Sequence, residues 1–157
     1  MGAEAKSIVL RKAKAADAPA LAGLEAASFP DAWNERMLLE ELSYPLSSYF
    51  VLEKEGQLCG YGGFLLVAGE AQITRVAVSP GFRGIGLGNR LSLGLVEKAF
   101  CLGAEAVTLE VRESNLAAYQ AYLRAGFKVA GIRPRYYENA ENAVIMWLFK
   151  KETVNGS

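Results

Sequence analysis

The chain contains no histidine. A Ser-His or Cys-His nucleophile pair is therefore excluded, and the commonest zinc ligand is missing. Proton transfer has to fall to carboxylates, tyrosines, lysines, cysteines or water, and no metal site is expected. Cysteine is scarce, with only Cys59 and Cys101. One disulfide would be a poor staple for 157 residues, and reduced, buried thiols in a cytoplasmic protein are the expectation. No apolar run approaches ~18 residues, so no membrane span is expected. Residues 1–6 lack an apolar core, so no secretory signal is expected there. Lys6 stands where a myristoylation site needs Ser or Thr. Neither sign of charge dominates, since Lys plus Arg and Asp plus Glu number 17 each. No overall field draws the chain to nucleic acid or to an anionic membrane.

What is present is ordinary globular composition, 52% apolar and 22% charged. It predicts one domain over residues 1–157, with a core over about 8–149 and a flexible tail over 151–157.

Residues 8–11 read as a first strand. Asp17 reads as an N-cap with Pro19 in the first helical turn, and Leu21, Leu24 and Ser28 share a face. That helix should stop near Phe29 and Pro30. A second helix is predicted over 34–43, with Leu38, Leu39 and Leu42 inward and Pro45 ending it. Strands follow at 49–54, 58–67 and 71–78, joined by turns at Glu55-Gly56 and Ala68-Gly69-Glu70. Gly60, Gly62 and Gly63 hint at a bulge in the second of these. A helix then runs to about Leu102, with Leu87, Leu91, Leu95 and Ala99 on one face and Gly103 as its cap. Residues 106–112 are a β-branched strand, and Ser114 reads as the cap of a short helix stopped by Gly126. Strands at 127–132 and 143–149 close the chain as a hairpin. The order predicts an α/β (α+β) domain with a mixed central sheet of about seven strands flanked by about four helices. The strands on either side of the 87–102 helix should be parallel and the others antiparallel.

The most informative stretch runs from Val76 to Arg90, V-A-V-S-P-G-F-R-G-I-G-L-G-N-R. A strand ends, a turn intervenes and glycines open a helix. Amide N–H groups at such a helix start are unpaired and backed by the positive end of the helix dipole. Glycines let a phosphate approach the backbone, so the stretch reads as an anion site for a diphosphate. The plainer alternative is a tight turn with close helix packing. A dinucleotide fingerprint G-x-G-x-x-G fails, because its third glycine falls on Asn89 or Leu91. Glu110 does stand ~20 residues further on, but no G-K-[ST] follows the glycines, so a P-loop fails too.

Glu110 lies in Val-Thr-Leu-Glu-Val-Arg, among apolar strand residues. It is either a half-exposed carboxylate paired with Arg112 or a nearby lysine, or a general base acting directly or through water. Tyr119 and Tyr122 lie on the short helix, and core packing accounts for Tyr119. Trp33, Tyr136 and Tyr137 are loop aromatics for which core packing is the simplest account. Arg133 and Arg135 are either solvated charge or the edge of a groove.

The sequence resembles the GNAT acetyltransferase superfamily. Its pyrophosphate signature, [QR]-x-x-G-x-[GA], is met by Arg83, Gly86 and Gly88. An N-x-x-A-x-x-x-Y-x-x-x-G-F spacing follows at Asn115, Ala118, Tyr122, Gly126 and Phe127. The likeness runs from Ile8 to about Phe149. It is nearest to the ribosomal-protein-alanine N-acetyltransferases, the RimI type. The matching pieces are S-F-P-x-x-W from Ser28 to Trp33, L-E-V-R from Leu109 to Arg112 and S-N at Ser114 and Asn115. R-x-x-Y-Y from Arg133 to Tyr137 and E-N-A-V-I-M from Glu141 to Met146 complete the set. Asn142 stands where that type usually carries an acidic residue.

The resemblance implies acetyl-CoA as co-substrate, bound through a parallel βαβ crossover. It implies that amides of Gly84, Ile85, Gly86, Leu87, Gly88 and Asn89, with Arg83, hold the diphosphate. The main chain of Val76, Ala77 and Val78 would pair with the pantetheine arm like a further strand, and Asn115 would hydrogen-bond it. Glu110 would be the general base and Tyr122 the general acid, while an N–H near Val78 could polarise the thioester carbonyl. Trp33, Tyr136 and Tyr137 would flank the acceptor. The implied acceptor is a protein N-terminus, a ribosomal protein's alanine being the usual target. An α-amine, with pKa ~7.7–8.0 against ~10.4 for lysine, suits a carboxylate relay. Acetylation of a small amine or a lysine, and a non-catalytic acyl-CoA sensor, are the alternatives. A monomer or weak dimer is expected, with no nucleic acid and no membrane as partners.

Overall fold

The computed structural model describes residues 7–151. The expectations for residues 1–6, and for the tail beyond Lys151, lie outside them. Seven strands form one sheet in the order β1-β2-β3-β4-β5-β7-β6. They are β1 (Ile8–Lys12), β2 (Ser47–Lys54), β3 (Gln57–Val67), β4 (Glu70–Val78), β5 (Ala106–Arg112), β6 (Lys128–Arg133) and β7 (Ala143–Phe149). Four α-helices join them: α1 (Ala18–Ser28), α2 (Glu35–Ser43), α3 (Leu87–Cys101) and α4 (Leu116–Arg124).

Alternation in the strands sends side chains to two cores. Phe50, Leu52 and Phe64 meet Leu91, Leu95, Ala99 and Tyr122 beneath α3 and α4. Tyr49, Val51, Tyr61 and Ala77 meet Leu21, Leu24 and Leu38 beneath α1 and α2. The stripe predicted for α3 is buried throughout, at Leu87, Leu91, Leu95 and Ala99. β7 is the most apolar of the late strands and lies inside the sheet, whereas β6, with Lys128 and Arg133 at its ends, forms an edge. A charged edge resists pairing with other chains.

The functional geometry begins where β4 and β5 part. They pair in parallel only from Glu70 to Gln72 against Ala106 to Thr108. Immediately beyond, the β3–β4 register slips: Phe64 faces Ile73 and Gly63 faces Arg75, which leaves Thr74 as an extra residue. A bulge of this kind bends its strand, and β4 leaves β5. A second slip puts Cys59 out of register opposite Leu52 and Glu53. The β3 glycines have another purpose. A Cβ at Gly62 would lie 2.5 Å from the Arg75 carbonyl oxygen and 2.8 Å from Leu95. Glycine there lets α3 sit close on the sheet.

Four local expectations are corrected. Asp17 does not cap α1 with its side chain; its carboxylate accepts from Arg11 and from the Lys14 N–H. Leu39 is exposed on α2, because the helix buries a narrow stripe centred on Leu38. Asn115, not Ser114, caps α4, its Oδ1 accepting from the Ala118 N–H. Cys101 is exposed at the end of α3, while Cys59 is buried, and neither is in a disulfide.

Candidate active site

Between the parted strands lies a cleft of about 330 Å³. β4 lines it with Ile73 to Val76, and β5 with Glu110 to Arg112. α3 contributes Gly88, Asn89 and Ser92, α4 contributes Asn115, Ala118 and Tyr122, and Tyr137 closes one side.

The glycine-rich loop sits at the α3 end of this cleft. Gly84 and Gly86 adopt φ of 81° and 84°, a region open to glycine at little cost. Gly86 is the N-cap of α3, and no side chain caps it. The first helical bond runs from the Arg90 N–H to the Gly86 oxygen. Among the described residues the amides of Gly84, Ile85, Gly86, Leu87, Gly88 and Asn89 donate to no acceptor. They converge at the positive end of a helix of 15 residues, the arrangement that attracts a phosphate. The Arg83 side chain is engaged elsewhere. Its Nε donates to the Val78 oxygen at 2.9 Å, and Nη2 reaches the Ala27 oxygen and Ser28 Oγ at 3.3 and 3.2 Å. It thus ties the loop to the end of α1.

The exposed edge of β4 continues the site. The Ser79 N–H bonds to Cys59 on β3, so by strand alternation Ala77 also turns its main chain to β3. Val76 and Val78 turn theirs toward the cleft. Of the three residues expected to pair with an extended ligand, these two present free-edge groups, one of which, the Val78 oxygen, takes Arg83. The Asn115 side chain lines the cleft and spends its oxygen on the α4 cap, which leaves its amide nitrogen as a donor.

Glu110 and Tyr122 line the same cleft. Glu110 stands on the β5 wall and also borders the groove on the opposite face of the sheet, beside Gln72, Thr108 and Ile145. Its partner is neither Arg112 nor a lysine but Arg133, whose Nε donates to Oε2 at 2.5 Å. Arg112 instead pairs with Glu138 and Glu141 and stacks 4.0 Å over Tyr137. Tyr122 is 7% exposed and rests on Phe127. Burial pushes its phenol up, against a hydrogen bond with Ser92 that acts the other way. Tyr119 packs at the core margin.

The loop aromatics fall in two groups. Tyr136 is half-exposed, meets Tyr137 edge-on and lies 5.2 Å from Arg133. Burial raises Tyr137 to about 12. The loop carrying them is held by Glu141, which accepts from the Ser114 N–H at 2.6 Å, and by Asn142, which accepts from the Arg135 N–H. Trp33 packs beneath α1 and α2 against Tyr49, with the Arg75 guanidinium 4.1 Å over its ring. Sequence reasoning missed Glu25 and Arg75. Glu25 is fully buried and takes both Nε and Nη2 of Arg75. The only cue was a charged residue, Glu25, next to Leu24 on the helix's inward face.

Residues 18–127 match the model of the Acetyltransferase (GNAT) family. A Bacillus subtilis protein, provisionally named a ribosomal protein bS18-alanine N-acetyltransferase, is 41% identical over 127 residues, covering 80% of this chain and 84% of its own. The N-alpha-acetyltransferase RimI of Mycobacterium tuberculosis is 34% identical over 143 residues, covering 87% and 89%. The crystal structure of the ribosomal-protein-S18-alanine N-acetyltransferase from Escherichia coli superposes with a TM-score of 0.79 at 28% identity, covering 94% of this chain and 97% of that one. The chain belongs to the GNAT acetyltransferase family and is an acyl-CoA-dependent N-acyltransferase.

Proposed function

We propose that the protein moves an acetyl group from acetyl-CoA to a polypeptide's N-terminal α-amine, its acceptor being the alanine terminus of a ribosomal protein. One observation carries the reading. Glu110 and Tyr122 line a single cleft that opens beside unpaired amides at the head of α3. The residues fit the co-substrate: the 84–89 amides suit its diphosphate, and the free edge at Val76 and Val78 suits an extended arm. Acetyl-CoA supplies the thioester carbonyl that the amine attacks.

The chain's own residues do the rest. Glu110, reachable from both sides of the sheet, takes a proton from the incoming ammonium, directly or through water. Tyr122, kept protonated by burial, gives one to the departing sulfur. An N–H on the free edge near Val78 is suited to the carbonyl oxygen. Holding the two reactants side by side supplies much of the rate. Trp33, Tyr136 and Tyr137 flank the acceptor in this reading, and the relatives' names support an alanine terminus. No helix among the described residues is long and apolar enough to cross a membrane, and on this reading the protein works in the cytoplasm.

The test is thiol release from acetyl-CoA with a peptide beginning in Ala, set against a lysine peptide with a blocked terminus and against a polyamine. Turnover should be fastest with the Ala peptide. Turnover with polyamine alone contradicts the reading, and so does steady binding without turnover.

A further inference from the structure

Glu25 is a carboxylate in α1 with no contact to solvent. It accepts from Arg75 Nε at 3.0 Å, Arg75 Nη2 at 2.7 Å, the Trp33 N–H at 2.9 Å and the Tyr61 hydroxyl. Every acceptor site on it is used. Arg75 is equally committed. Its guanidinium lies 4.1 Å from the Phe29 ring and 4.1 Å from the Trp33 ring, and Arg75 forms part of the cleft wall beside the Thr74 bulge. Tyr61 stacks on Tyr49, and Tyr49 meets the edge of Trp33. The segment 29–33 between α1 and α2 is therefore gripped twice, through the Trp33 backbone and through two aromatic faces.

A buried ion pair is a costly way to fill space. An apolar side chain would serve stability as well or better. What the pair adds is direction, because a planar guanidinium bound along one edge and stacked on both faces has one orientation. That orientation is passed to the 29–33 segment, which packs with α1 and α2 and holds Arg75 of β4 between Phe29 and Trp33.

We propose that Glu25 and Arg75 are positioning residues for the acceptor: together they fix the 29–33 segment against the β4 wall, so that the acceptor amine is delivered to Glu110. The inference rests on the acceptor reading above. Neither residue hydrogen-bonds to the 84–89 segment, so acceptor affinity should depend on the pair far more than acetyl-CoA affinity does.

The experiment measures KM for an Ala-initiated peptide, kcat, and the acetyl-CoA Kd by calorimetry, in the wild type, Arg75→Lys and Glu25→Gln. Arg75→Lys keeps the charge but loses the fork and the flat stacking face. Its peptide KM should rise about tenfold, the worth of one charge-assisted hydrogen bond. The acetyl-CoA Kd should stay within about twofold, which also certifies the fold. Glu25→Gln should act in the same direction; if it fails to fold, Arg75→Lys decides. An unchanged peptide KM, or an equal loss of acetyl-CoA affinity, overturns the inference. Absence of wild-type turnover on the peptide overturns the acceptor reading itself, and the inference with it.

Discussion

Arg133 on β6 reaches across an intervening strand to Glu110 on β5. β7 lies between their strands, with Ala143 opposite Arg133 and Ile145 opposite Glu110. Even so, Arg133 Nε is 2.5 Å from Glu110 Oε2. The bridge spans the sheet face away from α3 and fixes the carboxylate at the split. In the proposed mechanism an incoming amine would meet a carboxylate already oriented, beside a half-exposed guanidinium that can yield its place. Glu110→Gln should therefore lower kcat ~10²-fold or more. The acetyl-CoA Kd should hardly change, since the amides at 84–89 are untouched. Steady-state kinetics with calorimetry checks both, and full activity in the variant would remove Glu110 from its role.

Tyr122→Phe should cost kcat ~10²-fold while leaving both substrate affinities nearly unchanged. Burial holds the phenol above its ordinary value, so it stays protonated through neutral and mildly alkaline solution. A pH–rate profile of the wild type should accordingly lack any loss of the acid below about pH 10. A variant with wild-type kcat would assign the proton donor elsewhere.

Gly86→Ala puts a side chain where φ is 84°. No atom lies within 4 Å of the added Cβ, so the penalty is backbone conformation alone, about 1–2 kcal/mol. The amides beside it should shift, and acetyl-CoA should bind about tenfold more weakly in a calorimetric titration. Unaltered affinity would mean that the left-handed turn does not shape the site.

Glu25→Gln should destabilise the fold by about 3 kcal/mol at neutral pH, because it leaves Arg75 buried without its counter-charge. Burial alone would raise Glu25, but Arg75, the Trp33 N–H and Tyr61 outweigh it and hold the carboxyl below its usual value. For such a group the stabilisation is whole above about pH 4.3 and is lost as pH falls through the depressed value. The gap between wild type and variant should therefore narrow in acid. Urea denaturation at several pH values measures it, and a gap that widens in acid contradicts the assignment.

The parts legible in the sequence were those carried by local pattern. Leu87, Leu91, Leu95 and Ala99 recur every fourth residue, and that spacing alone buries one face of α3. Gly84 and Gly86 stand where a positive φ is needed, and the loop they form leaves its amides open, as read from the strand–turn–helix junction. Glu55-Gly56 and Ala68-Gly69 mark their hairpins for the same reason, with positive φ at each residue.

The illegible parts depend on partners distant in the chain. Glu25 has no neighbour in sequence that names its partner, because Arg75 stands fifty positions away. Asp17 satisfies the pattern of a cap, yet the guanidinium of Arg11 claims it. Ser114 and Asn115 are both good caps; Asn115 holds the position, while the Ser114 N–H is taken by Glu141. That the last two strands form a hairpin follows from the polar loop between them. That β7 rather than β6 lies against β5 follows only from which of them can be buried on both edges.

Backbone amide chemical shifts on titration with acetyl-CoA test the central claim most directly. The amides of Gly84 to Asn89 should move furthest and downfield, as each gains a charged acceptor. Shifts that spare those amides while others move, or no shifts at all, would contradict it.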